Sequence, residues 1–252
     1  MPSKWSWVAL GAGAYVAFAL SLFPAASAVR WFAPPQLELA GIQGTVWSGS
    51  AAVGSVAGLA VRDLRWSLRP WPLFLGRIGG RFEAELDDGF VNAELNAGSS
   101  TVRLTDVRAS TSLSTLHRLL PIQGMQGLAS VALESLELQD GWPTRIVGEL
   151  NLAQLQAEPL MPSANVRLLP LGDYAVRFND TGGEGLAADF RDTGGPLEVA
   201  GTITMDLERR YALDALVAAR PGAPQPLLDG LAVMTSEPDA DGRRRLQMTG
   251  SL

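Results

Sequence analysis

The sequence predicts a mainly β fold: a curved, mostly antiparallel sheet, shaped as a groove or half-barrel, with two short helices, preceded by one N-terminal transmembrane helix. Three observations predict it. Apolar and polar residues alternate through many short segments, 27 glycines and 16 prolines punctuate those segments, and the run from Trp5 to Val29 carries no charge.

The uncharged run comes first. Met1-Pro2-Ser3-Lys4 precedes it, and the next charge is Arg30, before Pro34-Pro35 stops any helix. Roughly 20 apolar residues at about 1.5 Å rise each cover the ~30 Å hydrocarbon core of a bilayer. Trp5, Trp7 and Trp31 stand near its two ends, where amphipathic rings favour the headgroup zone. Lys4 and the terminal amine bias the N-terminus towards the cytoplasm, and Arg30 on the far side opposes that bias. The chain then divides into a cytoplasmic tip (1–4), a transmembrane helix (5–29) and an extracytoplasmic β-domain (36–252). Ala26-Ser27-Ala28 also fits a small-x-small cleavage site, so a signal cleaved after Ala28 is the alternative to a retained anchor. The run exceeds the ~7–15 residues of an ordinary signal core, which favours the anchor. Both readings place the remainder outside the cytoplasm.

The strands follow from period-two patterning. From Arg81 to Asp87 every even position is apolar and every odd one charged, a strand with one dry and one wet face. Asp87-Asp88-Gly89 reads as a tight hairpin turn into Phe90–Leu95. Leu64, Trp66 and Leu68 oppose Arg65, Ser67 and Arg69, and Tyr174, Val176 and Phe178 repeat the pattern. The longest alternation is Leu197, Val199, Gly201, Ile203, Met205 and Leu207. The phase slips by one residue near Glu134-Ser135, which predicts a bulge. About ten strands result between Gln36 and Leu252. The two helices are predicted over 111–120, with leucines at 113, 116 and 120, and over 225–234. Two short helices cannot cover so many strands, so the sheet is expected to curl on itself and to keep open edges.

Composition narrows the chemistry. With Lys4 set aside, 19 basic residues, all arginine, face 26 acidic ones, so nucleic acid is not an expected partner. The chain has no cysteine, which excludes disulfides and thiolate metal sites. His117 is the single histidine, so neither a histidine-based triad nor a two-histidine metal site can form. Glu83 and Glu85 lie on the wet face of a strand, and Asp87 and Asp88 form a turn. The glycine-rich stretches 182–185 and 194–195 lack the pattern of a phosphate-binding loop. No cofactor and no metal are expected, and the chain reads as a non-enzyme.

Two sets of residues remain as candidate contact sites. Trp47, Trp66 and Trp71 place large rings near one another, either plugging the membrane-proximal end of the groove or offering an apolar surface to a lipid chain. Arg243, Arg244 and Arg245 open the last strand, as charges guarding an edge, with an anionic-lipid contact as the alternative, and as an edge-strand contact for a protein partner.

The block Leu37 to Ala51, with Gly44-Thr45-Val46-Trp47-Ser48-Gly49 at its centre, is followed by Leu64-Arg65-Trp66-Ser67-Leu68-Arg69-Pro70 and Pro72-Leu73-Phe74-Leu75-Gly76. These segments, with the ending Leu246 to Leu252, resemble protein N of the type II secretion system. Residues 97 to 195 are only loosely similar. The resemblance implies an accessory component of the inner membrane of a Gram-negative bacterium, single-pass, with its C-terminal β-domain in the periplasm. It implies support of protein export through contacts with other type II secretion components, and it brings no catalytic residues. The family is itself similar to AsmA-like proteins, whose curved β-groove is associated with lipids, so a lipid-handling groove is the alternative function.

Overall fold

Alternating side chains on short segments joined by tight turns dictate hairpins, and the hairpins here follow one another without interruption. The computed structural model describes residues 15, 18–19, 21–32, 37–56, 58–72, 76–116, 124–158, 168–235 and 237–251. Its first seven strands are β1 (Leu37–Ala40), β2 (Gln43–Gly44), β3 (Ser48–Val56), β4 (Leu59–Arg69), β5 (Ile78–Leu86), β6 (Gly89–Ala97) and β7 (Thr101–Ser112). The next seven are β8 (Met125–Gln139), β9 (Trp142–Ala157), β10 (Leu169–Asn179), β11 (Leu186–Gly194), β12 (Leu197–Met205), β13 (Arg210–Ala219) and β14 (Arg244–Ser251). They form one sheet ordered β1-β3-β4 and onward in chain order to β14, every neighbour antiparallel, with β2 pairing β3 beside the path. The path is open, running from β1 to β14 without closing into a barrel.

The curl has a local cause. Asp63, Asp106 and Gln154 adopt φ of 46°, 50° and 53°, and each lies at a register shift between its strand and a neighbour. An extra residue at such a bulge bends the strand and strengthens its right-handed twist. At Asp63 it also moves the inward phase from odd positions (Leu59, Val61) to even ones (Leu64, Trp66, Leu68). The shift between Leu133 and Ser135 is the bulge the sequence predicts there. The turn Asp87-Asp88 likewise joins β5 to β6 as predicted.

Other expectations are corrected. The strands number fourteen rather than about ten, because Gly- and Ala-rich stretches such as Ser48–Val56 pair as strands without clean alternation. The alternation from Leu197 ends at Met205, and Leu207 sits in the exposed turn that Asp206 closes by accepting from the Arg210 N–H (2.9 Å). The helix predicted over 111–120 is α2 (Leu113–Leu116), since Thr111 and Ser112 belong to β7; His117 and residues 118–120 lie outside the described residues. The helix over 225–234 is present as α3 (Gln225–Met234).

A third helix, α1 (Ala25–Phe32), was not separated in the sequence from the uncharged run. Leu22 turns, Pro24 bridges to Thr45, and the Val46 N–H donates to the Phe23 carbonyl (3.0 Å). Proline cannot donate in a helix interior, so the chain leaves helical geometry there and restarts at Ala25. Most of the run Trp5–Val29 lies outside the described residues. Among the described residues no helix is long and apolar enough to cross a membrane.

The core gathers where helices meet the concave face. Leu227 of α3 packs with Leu197, Val199 and Val217, backed by Tyr174, Phe190 and Leu231. Leu113 of α2 packs with Ala129 and Leu155, backed by Leu150 and Leu152. Leu171 and Tyr174 touch both groups and join them.

Candidate functional site: an open apolar groove

The inward residues of the first half of the sheet enclose a space to which, among the described residues, the helices contribute only Leu116 of α2. A cavity of about 570 Å³ is lined by Leu59, Val61 and Leu64 of β4, Phe82, Ala84 and Leu86 of β5, and Val91, Ala93, Ala109, Ala129 and Val131 across β6 to β8. A second, of about 390 Å³, shares Leu37, Leu64 and Phe82 with it and extends to Trp66, Leu68 and Ile78. One face of α1 closes that end through Ala25, Ala28 and Val29, the spacing of a single helical stripe. Each volume falls within the range of small-molecule pockets, roughly 300–1,000 Å³.

The chemistry of the lining is almost wholly hydrocarbon. Glu83 and Thr111 are the polar residues of the larger cavity. The Thr111 hydroxyl is already committed, donating to Asp88 Oδ1 at 2.7 Å. Asp88 also accepts from the Ser112 N–H (3.2 Å) and the Thr115 hydroxyl (3.1 Å), tying the β5–β6 turn to the start of α2. Burial pushes the Asp88 carboxyl up, but these hydrogen bonds outweigh it and hold the group below its ordinary value. Backbone groups of the groove wall are spent in the sheet ladders. The site can therefore hold an apolar chain.

The second half of the sheet carries a different interior. Arg220 donates to Asp192 (2.5 Å) and to the carbonyls of Gly195 and Leu197 (2.9 and 2.8 Å). The Asp192 side chain is 8 % exposed and also accepts from the Val199 N–H at 2.8 Å. Burial raises the Asp192 pKa, while the Val199 N–H and Arg220 more than offset that rise and leave it low. Burial likewise pushes the Tyr174 phenol up, and its hydroxyl donates to the Leu171 carbonyl (2.9 Å).

The tryptophans divide. Trp66 lines the smaller cavity, its Nε1–H donates to the Val46 carbonyl (3.0 Å), and its ring lies over Gly49. A Cβ at Gly49 would stand 2.5 Å from that ring, so the glycine of the Trp-Ser-Gly block is required by close approach. Trp47 is half-buried in the turn before β3, where its carbonyl accepts from the Leu68 N–H (2.6 Å). Trp71 is 79 % exposed in the β4–β5 connection. Neither Trp47 nor Trp71 is among the described residues lining the groove.

Arg244 and Arg245 open β14, the terminal strand of the sheet path, and Arg243 precedes it with its N–H on Asp239 (2.8 Å). Arg245 is bound bidentately to Asp214 of β13, at 2.9 and 2.5 Å. The three arginines thus stand at one end of an edge strand, far along the sheet from the three tryptophans. What sequence reasoning missed is the set of alanines, Ala84, Ala93, Ala109 and Ala129. Alternation assigns them to the dry face, and their small size is the signal that the face is left unfilled.

Comparison with known proteins bears on the whole chain. The family model for protein N of the type II secretion system matches residues 35–247. The type II secretion system protein N of Aeromonas hydrophila is 26% identical over 246 residues, 95% of each chain. That of Vibrio cholerae serotype O1 is 25% identical over 228 residues, covering 87% of this chain and 86% of the relative. No solved structure matches.

Proposed function

This chain belongs to the type II secretion system protein N family, and on that premise we propose that it is an accessory inner-membrane component supporting protein export across the outer membrane. The observation that carries the reading is a family match spanning residues 35–247, nearly all of the sheet. Its first residues form a single-pass anchor and its β-domain lies in the periplasm, a reading supported by the uncharged run from Trp5 to Val29.

The work is done by protein contacts. The two edges of the sheet differ in what they present. At one edge β1 is four residues long, with β2 beside it; at the other β14 offers eight residues of strand. A long edge is a template on which another chain adds a strand through main-chain hydrogen bonds. Reversing charge at Arg243, Arg244 and Arg245 tests this. Export of a type II substrate should fall while the amount of folded protein stays unchanged; unchanged export would remove the β14 edge from the mechanism.

A second reading is favoured by the open apolar groove: a periplasmic lipid-handling protein. A peptide laid in the groove would leave its own N–H and C=O groups unpaired against hydrocarbon, at a cost of several kcal/mol each, whereas an acyl chain has none. Lipid co-purifying with the detergent-extracted protein, and reduced by Trp66→Ala after its folding has been verified, would support it. Lipid-free protein that takes up no fatty acid would exclude it.

A further inference from the structure

In an antiparallel sheet the backbone N–H and C=O of one residue point together to one neighbouring strand, and those of the next residue point to the other. Arg210 spends both groups on Asp206: its N–H donates to Asp206 Oδ1 (2.9 Å), and its carbonyl accepts from the Asp206 N–H (3.0 Å). Arg220, at the same phase, donates its N–H to the Pro196 carbonyl (2.8 Å). The even residues of β13 therefore turn to the β12 side. Leu213, Ala215 and Val217 turn to their partners Met248, Leu246 and Arg244 on β14. Gln247 and Thr249, opposite Asp214 and Ala212, aim their backbone groups away from β13. Among the described residues no further strand meets them.

Side chains along this edge are sorted by face. Leu246 and Met248 share the concave face with their partners Ala215 and Leu213, and Met248 is 46 % exposed. Ile203, opposite Leu213 on β12, is exposed beside them. Arg245, Gln247, Thr249 and Ser251 take the other face, where Asp214 holds Arg245. The arginines stand at the start of the strand and the hydroxyls of Thr249 and Ser251 at its end.

We propose that this edge pairs with the same edge of a second copy of the chain, antiparallel about Gln247, an inference that rests on the reading of β14 as a protein-contact edge. A two-fold axis at Gln247 sets Leu246 of each copy against Met248 of the other. The same register sets Arg245 against Thr249 and Arg243 against Ser251, so no arginine faces an arginine. Axes at Arg244 or Arg245 would set like charges directly opposite, which is destabilising. The arginines thus select a register instead of blocking the edge. The strand is self-complementary, apolar against apolar and cation against hydroxyl, which is what an isologous dimer requires.

Full-length protein extracted in detergent is sized by sedimentation at micromolar concentrations, with no other secretion component present. It should have twice the mass of one chain and dissociate on dilution. Gln247→Pro removes an N–H that points to the open edge, so it should give a monomer with the unfolding midpoint in place. Thr249 is exposed, and its variants decide the matter should the proline loosen the fold. Thr249→Glu sets opposite charges against Arg245 at two symmetric positions and should tighten the dimer about two- to thirty-fold. Thr249→Arg should weaken it by a similar factor. A monomer at every concentration, a folded Gln247→Pro variant that stays dimeric, or Thr249 variants that fail to move the constant in opposite directions would each overturn the proposal. A monomer whose export still falls on arginine reversal would overturn this inference alone and give β14 to a different protein. A dimer whose export is indifferent to that reversal would support it and remove only the export role of the edge.

Discussion

The first eight strands and the last six are made by the same alternation, yet the first eight line the apolar groove, with one small cluster around Leu113 and Ala129 at its border, and the last six carry the core around Leu227. In the second half Leu197, Val199 and Val217 receive Leu227 from α3, and the ring of Phe190 lies over Gly201, so small residues sit beneath large ones. In the first half Ala84 and Ala109 stand opposite the same Val91 on β6, small against small, and among the described residues the helices meet the groove through one face of α1 at one end and through Leu116 of α2. The groove is therefore a property of side-chain size and helix placement rather than of the sheet, whose bulged antiparallel ladder continues through both halves.

That contrast can be broken by mutation. Leu227→Ala should cost about 2–4 kcal/mol, read as a lower urea midpoint, because it opens a cavity in filled packing. Leu86→Ala in the groove lining should cost only about 1 kcal/mol, since the removed methyls already border empty space. Similar losses at both positions would show that the groove is occupied or closed in solution.

Asp192→Asn should cost about 2 kcal/mol by weakening the hydrogen-bonded pair with Arg220. Its pH dependence has a definite sign. Asp192 lies below its ordinary value of 3.8 in the folded chain, so its contribution is fully present above that value. It is lost as pH falls through the lowered folded value. Asp192→Asn should flatten that acid limb of stability, and Asp88→Asn should do so to a smaller extent through Thr111 and Ser112. An unchanged acid limb in both variants would remove these carboxylates from the account.

The smaller effects sharpen the comparison instead. Ala109→Leu should leave stability within about 1 kcal/mol of the parent and reduce uptake of an apolar fluorescent probe, by filling the groove. Undiminished uptake would place the probe elsewhere. Arg245→Glu breaks an exposed pair with Asp214 and should leave the unfolding midpoint where it is while lowering export. A shifted midpoint would assign Arg245 to stability.

Much of this was legible in the sequence. The alternation at Arg81–Asp87, the Asp87-Asp88 turn, the bulge at Glu134-Ser135 and α3 all stand where the pattern placed them. The pattern failed where the side chains are too small to alternate, as in Ser48–Val56, and where one bulge reversed the phase, as at Asp63. Of the candidate sites, Trp66 lines the groove because β4 resumes its inward phase after Asp63. Trp71 does not, because it follows Pro70 beyond the end of that strand, where pleat no longer sets direction. The β14 edge was legible as a last strand, but its exposure follows from topology, which local pattern does not encode.

The central claim, that this member of the protein N family supports type II export, is tested most directly by deleting its gene and assaying an exported enzyme separately in periplasm and medium. The account predicts accumulation in the periplasm, reversed by the full-length gene. Normal export from the deletion strain would contradict it.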